Sequence, residues 1–178
     1  LNVSCPNTER GGMTFGTDPG ALAEVTAAAR ETTRLPLWVK LTPNVTDIAQ
    51  MARVAVEAGA DALSLVNTFT GMTVDVERRR PTLANLRGGL SGPAIRPLAL
   101  YLLHEVRQAV SVPLVGIGGI SSLDDALQFL IAGACAVQVG TANYIDPGIS
   151  VRLVDELEAW CAERDIRAIG EIVGSLQA

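Results

Sequence analysis

The sequence predicts an α/β fold on a parallel sheet, specifically a (β/α)8 TIM barrel of which the chain carries strands four to eight with their helices. Three observations lead there. Short runs rich in Val, Ile and Leu alternate with amphipathic stretches of helical length. Most of these runs are nearly continuous in apolar residues, as expected of strands buried on both faces. Each run also ends on a polar or glycine-rich signature, in order SCPN, KLTPN, NT, GIGG and GTA. In a barrel those ends converge on one mouth, whereas a doubly wound sheet uses chiefly the ends at its switch point.

The elements follow in order. The stretch LNVS (1–4) reads as a strand from its first residue. DPGALAEVTAAARETT (18–33) places Asp18 as N-cap and a proline at the first helical position. The strand PLWVKL (36–41) precedes VTDIAQMARVAVEAGA (45–60), whose Ile48, Met51, Val54, Ala55 and Ala58 share one helical face. After the strand ADALSLV (60–66), the stretch SGPAIRPLALYLLHEVRQAV (91–110) reads as a helix, and VPLVGI (112–117) as a strand. SSLDDALQFLIAGA (121–134) begins with Ser122 as N-cap and Asp125 in the acidic position of a capping-box-like start, and CAVQV (135–139) is the last strand. Five strands in 178 residues fall short of the eight strands and roughly 250 residues of a whole barrel. The expectation is one domain, 1–178, forming the C-terminal part of a barrel domain.

A chain of 178 residues that is 48% hydrophobic can bury one core. Its net charge is −5, and its longest basic run, Arg78-Arg79-Arg80 beside Pro81, reads as loop, so nucleic acid is not expected as a partner. No apolar stretch approaches the roughly 18 to 20 residues of a membrane helix, and no basic segment followed by a hydrophobic one opens the chain. A cytoplasmic protein without membrane contact is expected. The three cysteines are far apart and His104 is the single histidine, which supports neither a disulfide framework nor a metal or iron–sulfur site. Cys135 reads as a small buried hydrophobe entering a strand, while Cys161 and His104 fall within helical patterns.

Three groups of residues carry chemistry. The pair GIGGI (116–120) and VGTA (139–142) follows consecutive strands, where glycines let backbone N–H groups approach a phosphate; tight turns are the plainer reading. Lys40, the only lysine, lies in an apolar run at a strand end. It needs a partner there. A Schiff base, a cation serving a cofactor or substrate, and a structural ion pair all remain open for it. Asn2, Asn7 and Asn67, with Thr68 and Ser4, offer donors and acceptors suited to a small heterocycle with alternating N–H and C=O groups.

The stretch NVSCPNTERGGMTFGTDP resembles the active-site segment of the dihydroorotate dehydrogenases, particularly the NAD-linked class 1B, and VKLTPNV, LVNT, GGLSGPAIRP, GIGGI and VGTA match in the same order. The resemblance covers essentially the whole chain. It implies FMN-dependent oxidation of (S)-dihydroorotate to orotate in pyrimidine biosynthesis. Cys5 matches the base that takes a proton from C5 while hydride leaves C6 for N5 of FMN. Asn2 matches a residue touching flavin and substrate, and Asn7, Asn67 and Thr68 match contacts to the pyrimidine. Lys40 matches the lysine beside the flavin ring, Val66 and Gly92 match flavin contacts, and Gly118, Gly119, Gly140 and Thr141 match the phosphate cradle. The family's N-terminal serine, lysine and asparagine signatures have no counterpart in the 178 residues, so the chain alone is expected to be inactive.

The resemblance further implies a homodimer and, for an NAD-linked enzyme, a second subunit carrying FAD and a [2Fe–2S] centre, since this chain has neither the cysteines for a cluster nor a dinucleotide glycine motif. A related dihydropyrimidine dehydrogenase flavin domain is the nearest alternative, but it typically has histidine where this chain has Asn7. A non-catalytic barrel piece binding a phosphorylated ligand through GIGG and GTA is the alternative from another class.

Overall fold

The structure, a computed structural model, describes residues 1–4 and 12–177. Its strands are β1 (Trp38–Lys40), β2 (Ala62–Leu65), β3 (Phe69–Gly71), β4 (Val74–Asp75), β5 (Arg80–Pro81), β6 (Gly88–Leu90), β7 (Leu114–Ile117) and β8 (Ala136–Gln138). The α-helices are α1 (Gly12–Thr17), α2 (Pro19–Thr32), α3 (Ile48–Glu57), α4 (Arg96–Ala109), α5 (Leu123–Ile131), α6 (Ala142–Ile145) and α7 (Ile149–Ala162).

β1, β2, β7 and β8 pair in parallel in that order, and Asn2 adds an isolated parallel bridge to Lys40 on the outer side of β1. Five segments thus lie side by side in chain order, with no reversal that would create a switch point. That is the wall of a barrel rather than a doubly wound sheet. One row runs across the sheet through Asn2, Lys40, Ser64, Val115 and Ala136. The alternate positions Val39, Leu63, Leu65 and Leu114 are buried in the core with residues of the helices. At Gly116 an added Cβ would sit 2.5 Å from the Phe129 ring, so glycine there admits the fully buried Phe129 of α5 beneath the strand.

Local chemistry sets the helix starts. Asp18 accepts the Ala21 N–H at 2.7 Å with Pro19 opening α2, Asp47 accepts from Gln50 at 2.8 Å, and Ser122 accepts from Asp125 at 3.2 Å. α3 buries Ile48, Met51 and Ala55 as the periodicity predicts, and adds Ala52. Val54 and Ala58 are only partly covered.

Three expectations need correction. The Asp125 carboxylate does not turn back on the Ser122 N–H; it accepts from the Ser121 amide and hydroxyl and pairs with Arg96. Cys135 is exposed, because it leads into β8, the outermost strand of the described sheet, where Ala136 and Gln138 are exposed too. The segment between β2 and α4, read from the sequence without strands, forms two antiparallel pairs, β3 with β6 and β4 with β5. Arg78 and Arg79 lie in its turn, but Arg80 belongs to β5. No helix among the described residues is long and apolar enough to cross a membrane.

Candidate active site

The strand ends meet as the sequence predicts. Lys40 ends β1, Val66, Asn67 and Thr68 follow β2, Gly118 and Gly119 follow β7, and Gly140 and Thr141 follow β8; with Gly92 they line one cavity of about 150 Å³. A niche of about 40 Å³ shares Gly92, Gly119, Gly140 and Thr141 with it and adds Ser121 and Ile145. A wider groove of about 800 Å³, lined by Arg53, His104 and Arg107, opens at the C-terminal ends of α3 and α4. Among the described residues no strand C-terminus and no predicted site residue lines that groove, so the smaller cavity is the better candidate for chemistry. Cys5 and Asn7 lie outside the described residues.

The glycines do two different jobs. Gly118 and Gly119 have φ of 140° and 72°, and a Cβ on Gly119 would lie 2.7 Å from the Gly92 carbonyl oxygen and 2.9 Å from Arg96 Cβ. That glycine lets two loops touch. Gly140, in contrast, has nothing among the described residues within 4 Å of a built Cβ, and Gly92 has only the Thr141 methyl at 4.0 Å. Above these two the space is open. Thr141 Oγ1 is 2.7 Å from Ser91 Oγ, which ties the loop after β8 to the one before α4.

Lys40 is partly buried, and its ammonium makes no ion pair or side-chain hydrogen bond among the described residues. Beside it, Asn67 Nδ2 donates to the Ser4 carbonyl at 2.6 Å and to Ser4 Oγ at 2.9 Å, while Asn67 Oδ1 accepts from the Thr68 N–H at 2.8 Å. Asn2 Oδ1 lies 3.1 Å from the Ser4 amide nitrogen and 2.8 Å from its hydroxyl oxygen. Asn44 braces the same loop, donating to the Thr68 carbonyl at 3.0 Å and accepting from the Thr70 N–H at 2.9 Å. The Leu65–Val66 peptide at the cavity wall is cis.

Residues 1–160 match the family model described as dihydroorotate dehydrogenase. The chain belongs to the dihydroorotate dehydrogenase family. It is 55% identical over 177 residues to the protein of Trichlorobacter lovleyi named dihydroorotate dehydrogenase B (NAD(+)), catalytic subunit, covering 99% of this chain and 58% of that protein. The protein of the same name from Geobacter sulfurreducens is 53% identical with the same coverage. The chain therefore spans somewhat over half the length of these relatives. The crystal structure of a dihydroorotate dehydrogenase from Eimeria tenella, in complex with ferulenol, superimposes with a TM-score of 0.76 at 28% identity over 98% of this chain and 52% of that one. The α/β architecture, a parallel sheet with helices forming part of a TIM barrel, is thus that of the dihydroorotate dehydrogenases.

Within this family member, sequence reasoning missed the groups that hold the site together. Ser91 and Arg96 lie inside the quoted GGLSGPAIRP stretch, but no spacing rule reveals that Thr141 and Asp125 are their partners 50 and 29 residues on. The Asp125 side chain is 3% exposed and pairs with Arg96, at the start of α4, while accepting two bonds of 2.9 Å from Ser121, two residues after Gly119. Burial pushes its pKa up. The Ser121 amide and hydroxyl, then Ser122 and the Arg96 charge, outweigh that and hold it below the ordinary carboxylate value.

A lowered folded pKa means stability that is present above the unfolded value, about pH 4, and is lost as pH falls through the folded one. Asp125→Asn should therefore cost about 2–3 kcal/mol at neutral pH, less than a fully buried pair because Arg96 is 32% exposed. The gap to the parent should narrow below about pH 4. Denaturant unfolding from pH 3 to 7 checks this, and a gap that does not change with pH contradicts it.

Proposed function

We propose that the complete protein oxidises (S)-dihydroorotate to orotate with bound FMN, in pyrimidine nucleotide synthesis, and that this chain supplies the phosphate cradle and much of the substrate pocket. The observation that carries the reading is the convergence of Lys40, Asn67, Thr68, Gly118, Gly119, Gly140 and Thr141 on one cavity from four different strand ends. The residues suit the cofactor: Gly140 and Gly92 leave space that a Cβ would fill, and Lys40 offers a cation without a partner among the described residues. FMN, when bound, supplies a hydride acceptor.

The protein's own groups do the rest. Val66 and Gly92 pack against the cofactor, and the loops of Gly118, Gly119, Gly140 and Thr141 hold its phosphate with backbone donors. Lys40 offsets negative charge beside the ring. Asn2, Asn7, Asn67 and Thr68 orient the pyrimidine, so that Cys5 can take the C5 proton. A thiol has an ordinary pKa of about 8.5, near enough to neutrality to act as a base once its thiolate is modestly favoured. Pro6 restricts the backbone that carries it. The names of the NAD-linked relatives, each a catalytic subunit, favour a companion subunit; that it carries FAD and a [2Fe–2S] centre as electron acceptor, that the catalytic core is a homodimer and that the protein is cytoplasmic are proposed from the family resemblance.

The test is anaerobic mixing of dihydroorotate with the complete, FMN-loaded protein across pH. Dihydroorotate should bleach the flavin. Cys5→Ser should slow this by about 10² to 10⁴, with the pH dependence moved upward because a serine hydroxyl ionises far less readily. An unchanged rate and profile in Cys5→Ser would assign the proton to another group, and no bleaching in the parent would overturn the function.

A further inference from the structure

We infer that Ser4 sets the hydrogen-bond polarity of the substrate pocket, leaving Asn2 able only to donate to a ligand and Asn67 able only to accept. The inference rests on the dihydroorotate reading above and adds a residue that the family resemblance did not assign. The orientation of each amide is fixed by a backbone group that cannot be turned round. The Ser4 N–H can only donate, so the Asn2 atom facing it at 3.1 Å is the oxygen. The Ser4 carbonyl can only accept, so the Asn67 atom facing it at 2.6 Å is the nitrogen, and the Thr68 N–H confirms the oxygen at the other end of that amide.

With both amides fixed, the Ser4 hydroxyl has one arrangement left. It donates to Asn2 Oδ1 at 2.8 Å and accepts from Asn67 Nδ2 at 2.9 Å. The inventory then closes. Asn2 Oδ1 has spent both lone pairs on Ser4, and only its two N–H groups remain for a ligand. Asn67 has spent both N–H groups on Ser4 and one lone pair on Thr68, so a single acceptor site remains. Ser4 is 2% exposed and cannot exchange these bonds for water. A ring that fits must offer an acceptor to Asn2 and an N–H to Asn67, as a pyrimidine with alternating C=O and N–H groups does. Ser4 is thus a positioning residue acting through two asparagines.

Ser4→Ala keeps the backbone bonds that orient both amides but frees one acceptor on Asn2 and one donor on Asn67. The pocket becomes less selective without losing its shape. The test measures equilibrium binding of orotate and of orotate methylated in turn on each ring nitrogen to the complete FMN-loaded enzyme. The parent should reject at least one methylated form by about tenfold or more, because the Asn67 acceptor then has no donor. In Ser4→Ala, where the hydroxyl no longer holds both amides, orotate should lose severalfold in affinity while the methylated form, which never used the Asn67 acceptor, changes little, so that ratio falls toward unity with FMN content and melting temperature near the parent's, and Ser4→Thr should restore it.

Parent enzyme that binds all three ligands alike overturns the inference however Ser4→Ala folds. An undiminished ratio in flavin-loaded Ser4→Ala overturns it as well. Flavin bleaching by dihydroorotate in the same parent preparation separates this failure from failure of the functional reading.

Discussion

Gly140→Ala should weaken FMN binding by roughly five- to a hundredfold while leaving the stability of the apoprotein intact, whereas Gly119→Ala should damage both. The contrast follows from what a methyl group meets at each position. At Gly140 nothing among the described residues lies within 4 Å of the built Cβ, and no left-handed backbone angle would be strained by a side chain. Alanine there should be neutral, or stabilising by up to about 1 kcal/mol through the unfolded chain. It projects into the open space proposed for the cofactor, where one methylene of overpacking costs about 1–3 kcal/mol, or roughly five- to a hundredfold in affinity.

At Gly119 the backbone is left-handed, with φ of 72°, and the Cβ would press on the Gly92 carbonyl oxygen at 2.7 Å and the Arg96 amide nitrogen at 3.0 Å. The left-handed conformation alone costs about 1–2 kcal/mol, and forcing the two loops apart adds about 1–3 more. FMN titration monitored by flavin fluorescence, run beside denaturant unfolding of the apoproteins, checks both variants. Full FMN affinity in Gly140→Ala contradicts placement of the phosphate there.

Lys40→Ala should raise the FMN dissociation constant by roughly tenfold to a hundredfold, the range for losing a charge-assisted contact, and shift the melting temperature of the apoprotein little. Lysine on a strand beside Asn2 and Ser64 is a costly choice for stability alone. Its ammonium has no ion pair among the described residues, so its removal costs the fold no ion pair there. The cost of keeping a partly desolvated cation is better explained by an anionic ligand that it meets. Parallel FMN binding and thermal unfolding separate the two roles. A large loss of apoprotein stability with unchanged FMN affinity would return Lys40 to a structural role.

The parts of the fold that were legible in the sequence are those governed by short-range rules. Asp18 and Ser122 mark their helix starts because capping is satisfied within a turn, and Ile48, Met51 and Ala55 mark a face because the helical period is local. The strand-end signatures pointed to one mouth because parallel strands share a direction, and Lys40, Asn67, Gly119 and Gly140 do share a cavity.

What stayed hidden depends on tertiary partners. The strands β3 to β6 are two or three residues each, too short for a period to show. Cys135 looked like a core residue because AGACAV is apolar, but burial is decided by what covers β8, and no spacing encodes that. The Asp125 carboxylate was placed by a local capping rule, but Arg96, 29 residues away, takes part of it. Ser4 was legible as a polar group near the site, though its place between two asparagines is visible only in three dimensions.

A crystal structure of the complete FMN-loaded protein with orotate bound tests the central claim most directly. We expect the flavin phosphate against the loops of Gly119 and Gly140, Lys40 Nζ beside the ring, Asn2 donating to an acceptor on orotate and Asn67 accepting from one of its N–H groups. Flavin seated elsewhere, or orotate bound away from Asn2 and Asn67, would contradict it.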